Sequence, residues 1–475
     1  MNFRYIICVA MFSLFVTSCG EDDLALFPND GIATELGLLN SSDFENALKG
    51  VYVAFLRSGY YGPTSSAASI YFIPDVISDD VVINSNGRRS REDYYDWRYD
   101  EDNSSETFWL SAYKVVQRAN LILENIDVLE EGAFKNNVRG EALAARGIAH
   151  FDLAKLYADS PATRSTNSLG VPYVTSTDSG ALPNRNSLDD TYSSILADLN
   201  EANGLVNSDN GVGRINKNVV SALLSRVHLF MGNYSEVITA ANAVTGVSEV
   251  GRDDVLAIWK DASNASIIWK LPIIDSDDIS VGVSWLQESP DGIRSEYNVD
   301  FALFALYGDN DIRKQVYFET SGFSGVDYNH IVKYRGRLSG DANLVDAKVI
   351  RYSEVALNKA EALAEMGQDG PALVALDEVR SNRYSSFVSG GETGQALKDA
   401  VALERRLELA FEGHRFFDLK RKGLPIVRSN FGDEAGGNGE QAEFKTLEAS
   451  DTRFNMAIGA NERNANENIE QNSGY

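Results

Sequence analysis

Apolar side chains recur at helical spacing along most of this chain. The first stripe begins at the capping-box pattern Ser42-x-x-Glu45 and consists of Phe44, Leu48, Val51 and Phe55. Residues separated by three or four positions lie on one face of a helix. Similar stripes begin near Trp109 and Tyr192, and another spans about 136–158. This pattern predicts a mainly α-helical protein.

Two later segments have the large, small and turn positions of tetratricopeptide-type helix pairs. Their turn glycines are Gly232 and Gly367. A long stretch without the repeat separates the two pairs, so the pairs are discontinuous rather than tandem. The predicted fold is an α–α superhelix of discontinuous helix pairs with loop-rich insertions and a few short strands.

Two segments interrupt the helical pattern. Residues 59–107 and about 246–348 are loop-rich, and short strands are expected in the second. Insertions of this length between helices are uncommon unless they carry function. Residues 41–475 are predicted to form a single domain that contains both insertions.

The stretch 404–423 concentrates charge near the C-terminus. Glu404, Glu408 and Glu412 recur every four residues, a spacing at which like charges repel each other on a helix. They therefore need cationic partners from elsewhere. The nearest cations in sequence are Arg415, Lys420, Arg421 and Lys422. The prediction is a structural ion-pair network, with Gly413 ending the helix in a left-handed conformation.

Residues 1–18 are predicted to be a signal peptide rather than part of the fold. The apolar run Ile6–Val16 follows Arg4 and is too short to span a bilayer as a helix. It ends in Val16-Thr17-Ser18-Cys19, which resembles the cleavage and lipidation box of bacterial lipoproteins. Cys19 is the predicted lipidation site, and residues 19–40 are expected to form the tether behind it. The only other cysteine is Cys8, so no disulfide is expected in the mature chain.

The chain of 475 residues has a formal net charge of −26. Nucleic acids and anionic membrane surfaces are bound mainly through Lys and Arg, so a chain of this charge is not expected to bind either one directly. The charge is compatible with a neutral ligand.

No pattern of catalytic residues stands out. The four histidines include no pair at i, i+4, and no phosphate-binding glycine motif with its lysine is present. A glycosidase needs two facing carboxylates, which 69 acidic residues neither establish nor exclude. We expect no cofactor and no metal. Ca²⁺ at the acidic turns 275–278 or 309–311 is a weak alternative, because neither turn matches an EF-hand loop.

Aromatic residues in the two insertions are the best candidates for ligand contacts. Sugars present apolar C–H faces that stack on Trp and Tyr, and hydroxyls that bond to Asn and Arg. The candidates in the first insertion are Trp97, Tyr94, Tyr95, Arg88, Arg89 and Asn86, and those in the second are Trp285 and Tyr297. A structural role for the aromatic residues, and a solvated face for the arginines, remain the alternatives.

The segment ERRLELAFEGHRFFDLKR (404–421) is similar to the C-terminal signature of the SusD/RagB family of nutrient-binding lipoproteins. Further similar segments are Phe108–Asn120, Ala142–Tyr157, Tyr192–Ala202, Asp309–Arg313, Arg351–Arg383 and Gln471–Tyr475. The turn Ala457-Ile458-Gly459 departs from the proline-isoleucine-proline that is usual in the family.

The resemblance implies a protein that is lipid-anchored to the outer membrane and faces the cell exterior. Such a protein captures an oligosaccharide and delivers it to a SusC-type TonB-dependent transporter, without a chemical step. Three alternatives stay open: a family member that binds peptides or another nutrient, a helix-pair scaffold for protein interaction, and a polysaccharide hydrolase.

Overall fold

The computed structural model describes residues 37–62, 69–103, 106–277, 279–337 and 342–475. The predicted signal peptide 1–18, Cys19 and most of the tether 19–40 lie outside these ranges. Within them the α-helices are α1 (Ser41–Phe55), α2 (Ile73–Val76), α3 (Glu92–Tyr95), α4 (Glu106–Glu124), α5 (Ala133–Tyr157), α6 (Leu188–Leu205), α7 (Lys217–Met231), α8 (Tyr234–Ala243), α9 (Val255–Trp259), α10 (Phe301–Phe304), α11 (Ile312–Tyr317), α12 (Tyr352–Glu365), α13 (Asp369–Ser381), α14 (Gly394–Glu408), α15 (Arg415–Arg421) and α16 (Ala460–Ala465).

The strands are short and belong to small antiparallel sheets. They are β1 (Val81–Ile83), β2 (Ile267–Leu271), β3 (Leu286–Ser289), β4 (Gly292–Ser295), β5 (Tyr297–Val299), β6 (Phe318–Phe323), β7 (Val326–Ile331), β8 (Ala347–Arg351), β9 (Ile426–Val427) and β10 (Thr446–Leu447). The largest sheet has the order β1-β5-β7-β6, and the pairs β2-β8, β3-β4 and β9-β10 are separate. A mainly α-helical fold with a few short strands is confirmed.

Both predicted helix pairs are present. Helices α7 and α8 pack against each other across Gly232, and α12 and α13 do so across Gly367. Both glycines have the left-handed backbone that such a turn needs, with φ of 73° and 71°. Helix α8 also packs against α12, so the two pairs are neighbours in space although they are distant in sequence.

Helix α1 begins slightly before the predicted start. Its N-cap is Asn40, whose side-chain oxygen accepts hydrogen bonds from the backbone N–H groups of Ser42 and Asp43. Asp43 returns a bond to the N-cap backbone, so the capping box is formed by Asn40 and Asp43 and not by Ser42 and Glu45. The predicted apolar stripe is buried as expected.

The two insertions meet in the largest sheet. Strand β1 comes from the first insertion and pairs antiparallel with β5 from the second, with Val82 opposite Asn298. Strands β2 and β8 lie at the two ends of the second insertion and pair with each other. One continuous hydrophobic cluster contains buried side chains from Leu38 to Ile469 and includes residues of both insertions.

The ion-pair network around stretch 404–423 is present, but its cations differ from those predicted. Glu408 and Glu412 are paired with Arg351, and Glu404 is paired with Arg313. These arginines come from distant segments, because the glutamates point into the core. The cations nearest in sequence bind elsewhere: Arg415 pairs with Asp79, Arg421 and Lys422 pair with Glu361, and Lys420 donates to the Lys155 carbonyl. Gly413 has the predicted left-handed backbone, with φ of 77°.

Candidate functional site

The aromatic side chains that the sequence singled out lie in the core. Trp97 is 2 % exposed and Trp285 is 1 % exposed, and the remaining rings of the set, Tyr94, Tyr95 and Tyr297, are also buried. The indole N–H of Trp97 donates to the Ile77 carbonyl at 2.8 Å. The expectation that these rings form an exposed stacking platform is therefore wrong for this structure.

Two of the buried rings, Tyr95 and Trp97, pack against a buried arginine. The guanidinium of Arg428 lies 3.8 Å from the Tyr95 ring centre and 4.0 Å from that of Trp97. Arg428 itself donates to the backbone carbonyls of Ser78 and Tyr95. Burial raises the pKa of the Tyr95 hydroxyl to about 12. These groups form an internal cation–π cluster and do not contact solvent.

Trp285 packs between the two insertions and the C-terminal stretch. Its ring contacts Phe72 edge-on, with centres 4.8 Å apart, and Phe411 with centres 5.5 Å apart. Phe72 also contacts Tyr297 at 5.9 Å. These residues lie where the two insertions meet, and their rings join the insertions instead of facing solvent.

Asn86, Arg88 and Arg89 are partly exposed, and their polar groups already have partners. Arg88 pairs with Glu296 at 2.5 Å. Arg89 pairs with Glu92 at 2.6 Å and with Glu440 at 2.9 Å. The amide of Asn86 donates to the Tyr328 hydroxyl. An acidic sugar would have to compete with these internal carboxylates, and contact of the three residues with a ligand stays a prediction.

Four segments converge next to these residues, and we call this surface the loop junction: residues 84–92, 296–304, 327–330 and 429–441. Asp433 holds three of the segments together. Its carboxylate accepts from the backbone N–H of Ser85 at 2.8 Å and of Glu440 at 2.7 Å, and its carbonyl accepts from Asn298 at 3.0 Å. The side chain of Asn329 fixes the fourth segment by donating to the Ala435 carbonyl at 3.0 Å.

The loop junction carries an exposed pair of aromatic rings that the sequence reasoning missed. Phe431 is 42 % exposed, and its ring centre lies 4.9 Å from that of the half-buried Phe301, at an interplanar angle of 63°. Phe304 is also half-buried and lies beside Phe301, with ring centres 6.4 Å apart. A platform of this kind can stack on the apolar face of a ligand.

Asp300 positions both rings of the pair. Its carboxylate accepts from the backbone N–H of Ala302 at 2.8 Å, which caps α10 and places Phe301. The same carboxylate accepts from the Ser429 hydroxyl at 2.6 Å, which fixes the loop that carries Phe431. Burial raises the pKa of Asp300, and the bond from Ser429 opposes this rise.

A glycine lets the loop pass under the ring pair. Gly437 has a φ of 77°, and a Cβ atom there would lie 2.7 Å from the Phe431 ring and 2.9 Å from the Phe301 ring. The glycine-rich run 436–439, which follows Phe431, is the one local sequence signal that favours a loop here. It gave no indication that Phe301, 130 positions earlier, would lie beside it.

The described residues contain no group of three or more His, Cys, Asp or Glu side chains placed to hold a metal ion. In the acidic turn 309–311, Asp311 pairs with Arg313 at 2.8 Å and Asp309 pairs with Lys314 at 2.7 Å. Calcium binding stays an untested prediction. Among the described helices, none is both long and apolar enough to cross a membrane.

Two family models match the chain. A SusD-like model described as "Starch-binding associating with outer membrane" matches residues 42–229, and the SusD family model matches residues 308–475. The chain belongs to the SusD/RagB family, and the resemblance drawn from its motifs is confirmed.

Known proteins similar to this one cover nearly its whole length. SusD-like protein P38 of Formosa agariphila is 23% identical, and the match covers 88% of this chain and 90% of that protein. The crystal structure of a putative sugar binding protein from Bacteroides vulgatus superposes with a TM-score of 0.81 at 27% identity, covering 92% of this chain and 99% of the other. A laminarin-binding SusD-like protein superposes with a TM-score of 0.70 at 22% identity, covering 92% and 100%, which shows a shared fold.

Proposed function

We propose that this protein is a non-catalytic binding protein that captures an oligosaccharide nutrient at the loop junction. The observation that carries the proposal is the exposed Phe301–Phe431 ring pair within a frame of fixed loops. A sugar ring can stack on such a pair through its C–H groups while its hydroxyls bond to polar side chains around it. Exposed polar groups on the same loop include Asn438 and Glu440.

The family and its named members support a sugar ligand. The SusD-like relatives include a putative sugar binding protein and a protein described as laminarin binding. The proposed role requires affinity for the sugar and no chemical reaction at the loop junction. The identity of the sugar is left to experiment.

We also infer that the protein is anchored to the outer membrane through Cys19 and works with a SusC-type TonB-dependent transporter. The lipobox-like sequence Val16–Cys19 supports the anchor, and the family model's description supports an outer-membrane location. Ligand contacts with both the binding protein and the transporter would favour the closed arrangement of the pair by shifting its population.

Isothermal titration calorimetry with the purified protein tests the sugar assignment. The panel contains laminarin and starch oligosaccharides together with short peptides. We expect at least one oligosaccharide to bind, and Phe431→Ala to weaken it about tenfold or more, which corresponds to about 1.4 kcal/mol. Phe301→Ala should have a similar effect, because it removes the other ring of the pair.

Phe444→Ala is the matched control. Phe444 is comparably exposed and lies on the same stretch of chain, but it has no described ring contact with the pair. Its substitution should leave the affinity unchanged. Binding of peptides alone, or equal oligosaccharide affinity in all three variants, would contradict the proposal. Release of reducing ends from any of the oligosaccharides would favour the hydrolase alternative.

The anchor is tested separately in cells. Labelled palmitate should be incorporated into the wild-type protein and not into Cys19→Ala. The wild-type protein should also co-purify with a TonB-dependent transporter from outer membranes. Absence of label from the wild type would argue against the anchor without affecting the sugar assignment.

A further inference from the structure

A second polar cleft is lined by residues that do not belong to the loop junction. It has a volume of about 450 Å³, which is within the range of ligand sites of about 300–1,000 Å³. Its walls come from the loop 159–169 after α5, from Arg185, from residues 420–424 at and after the end of α15, and from the C-terminal tail at 449–455 and 470–473. We call it the tail cleft.

Hydrogen bonds of two side chains hold the walls of the tail cleft together. Arg185 donates to the carbonyl of Gly170 at 2.8 Å and to the side chain of Asn472 at 2.9 Å. Asn472 in turn donates to the carbonyls of Tyr157 at 2.8 Å and Met456 at 2.7 Å. These two side chains are occupied in tying the tail to α5 and its following loop.

Other polar groups in the lining lack partners. The hydroxyl of Ser160, a residue that is 4 % exposed, has no hydrogen-bond partner among the described residues. The side-chain oxygen of Asn455 is likewise buried and unpaired, although the amide nitrogen of the same residue donates to Asp159 at 2.7 Å. Buried polar groups are almost always hydrogen-bonded, so two such atoms in the walls of one cleft indicate a small partner beside them, such as a water molecule or a ligand hydroxyl.

Lys420 adds a donor to the lining of the tail cleft. An ammonium has three hydrogens, and the described bond of Lys420 is a single one, to the Lys155 carbonyl at 2.7 Å. Burial lowers the pKa of Lys420 to about 7, while Asp159 opposes this change. Near neutral pH both the charged and the neutral amine are therefore present, so the amine can donate to a hydroxyl and, when neutral, accept from one.

The mixture of unpaired groups defines the ligand class. A hydroxyl both donates and accepts, so it can satisfy an amide oxygen, a serine hydroxyl and an amine alike. Asp159 and Lys420 both line the cleft. The carboxylate of Asp159 disfavours an anion there, and the amine of Lys420 disfavours a metal cation. We propose that the tail cleft binds one neutral, hydroxyl-rich unit, such as a monosaccharide or the end residue of an oligosaccharide.

This inference shares only its ligand class with the proposed function, since the tail cleft and the loop junction have no residues in common. Saturation-transfer NMR with the full-length protein tests it, using D-glucose, D-galactose and D-xylose as neutral probes and D-glucuronate as the charged probe. We expect saturation of at least one neutral sugar and none of glucuronate.

Two substitutions examine the tail cleft by different means. Ser450→Trp places a large ring at an exposed position of its rim, and Ser160→Ala removes the unpaired hydroxyl without adding bulk. Each should weaken the neutral sugar about tenfold or more. Ser208→Trp is the matched control, because Ser208 is exposed and lies outside the lining, and it should leave binding unchanged.

The outcomes separate the two sites. Sugar binding that survives in Phe431→Ala and is lost in Ser450→Trp supports the tail cleft whatever happens at the loop junction. The inference is overturned by equal binding in wild type, Ser450→Trp and Ser160→Ala, by binding of glucuronate alone, or by no saturation of any neutral sugar. Oligosaccharide binding that depends only on Phe431 would retain the proposed function and reject the second site.

Discussion

Glu408 lies at the centre of a buried network of opposite charges. It accepts from Arg351 at 2.8 Å and from Arg383 at 2.8 Å, and Arg313 is 3.1 Å away. Burial alone would raise its pKa, but the surrounding guanidinium groups hold that pKa well below its usual range. The carboxylate is therefore charged at neutral pH, and the three arginines depend on it.

Replacing Glu408 by Gln keeps the size of the side chain and removes its charge. We expect the free energy of unfolding to fall by about 3–5 kcal/mol, because buried guanidinium groups are left incompletely compensated. Urea unfolding followed by circular dichroism measures the change. Glu448→Gln, at an exposed position, should shift the free energy by less than about 0.5 kcal/mol. Similar midpoints for both variants would show that the network does not contribute to stability.

Trp285 and Phe431 show why residue type alone did not identify the site. Both lie in loop-rich sequence, and only tertiary contacts distinguish the buried ring from the exposed one. The stacking partners of Trp97 include Arg428, which lies more than 300 positions away. Local sequence carries no signal for such contacts. The two insertions, which supply three of the four segments of the loop junction, were therefore predictable, and the loop 429–441 with its exposed ring Phe431 was not.

The two rings should respond differently to truncation. Trp285→Ala should lower the free energy of unfolding by about 3–5 kcal/mol, because it leaves a cavity between Phe72 and Phe411. Phe431→Ala should change stability less, by about 1 kcal/mol, since Phe431 is 42 % exposed and its removal leaves no enclosed cavity. Urea unfolding of both variants checks the contrast. A stable Trp285→Ala protein that fails to bind sugar would restore the original assignment of Trp285 to the ligand.

At the scale of elements, the helices followed their sequence pattern more closely than the strands did. An apolar stripe with a period near 3.6 specifies both a helix and its buried face. Strand β1 has three consecutive buried residues, Val81, Val82 and Ile83, so it lacks the alternation that marks a half-buried strand. Its partner β5 is more than 200 positions away, which local pattern cannot specify. Helix pairs were therefore predictable, while strand pairing was not.

The turn glycines of the helix pairs give a test at this scale. Gly232 and Gly367 have left-handed backbones, and a Cβ atom would meet nothing within 4 Å at either position. Gly232→Ala and Gly367→Ala should each lower the free energy of unfolding by about 1–2 kcal/mol, from backbone conformation alone. Gly204→Ala, near the end of α6 and equally free of contacts, should be neutral or slightly stabilising. Equal effects at all three positions would contradict this explanation.

At the scale of the whole molecule, buried histidines link folding to pH. His150 accepts a hydrogen bond at Nε2 from the Val174 N–H at 3.0 Å, and its Nδ1 lies 2.9 Å from the Arg146 carbonyl. These partners fit the neutral ring with its proton on Nδ1, because a second proton on Nε2 would oppose the Val174 N–H. Burial lowers the pKa of His150 to about 3 and that of His414 to about 4.

The unfolded chain takes up a proton on each of these histidines near pH 6.5, and the folded chain does not until about pH 3–4. Their contribution to stability is therefore complete above about pH 6.5 and is lost as the pH falls, by up to about 1.4 kcal/mol per pH unit for each group. Asp75 acts in the opposite direction, since burial raises its pKa and the folded chain keeps that proton. The slope of the free energy of unfolding against pH is therefore a sum of contributions of opposite sign. A single substitution is needed to isolate one of them.

His150→Gln removes the contribution of one histidine and leaves Asp75 in place. The free energy of unfolding, measured in urea at several values between pH 7.5 and 4.5, should fall less steeply for the variant than for the wild type. The difference between the two slopes should approach about 1.4 kcal/mol per pH unit, whatever the variant's absolute stability. Parallel curves over this range would mean that His150 takes up its proton at the same pH in the folded and the unfolded protein, and that its bond from the Val174 N–H does not hold the ring neutral.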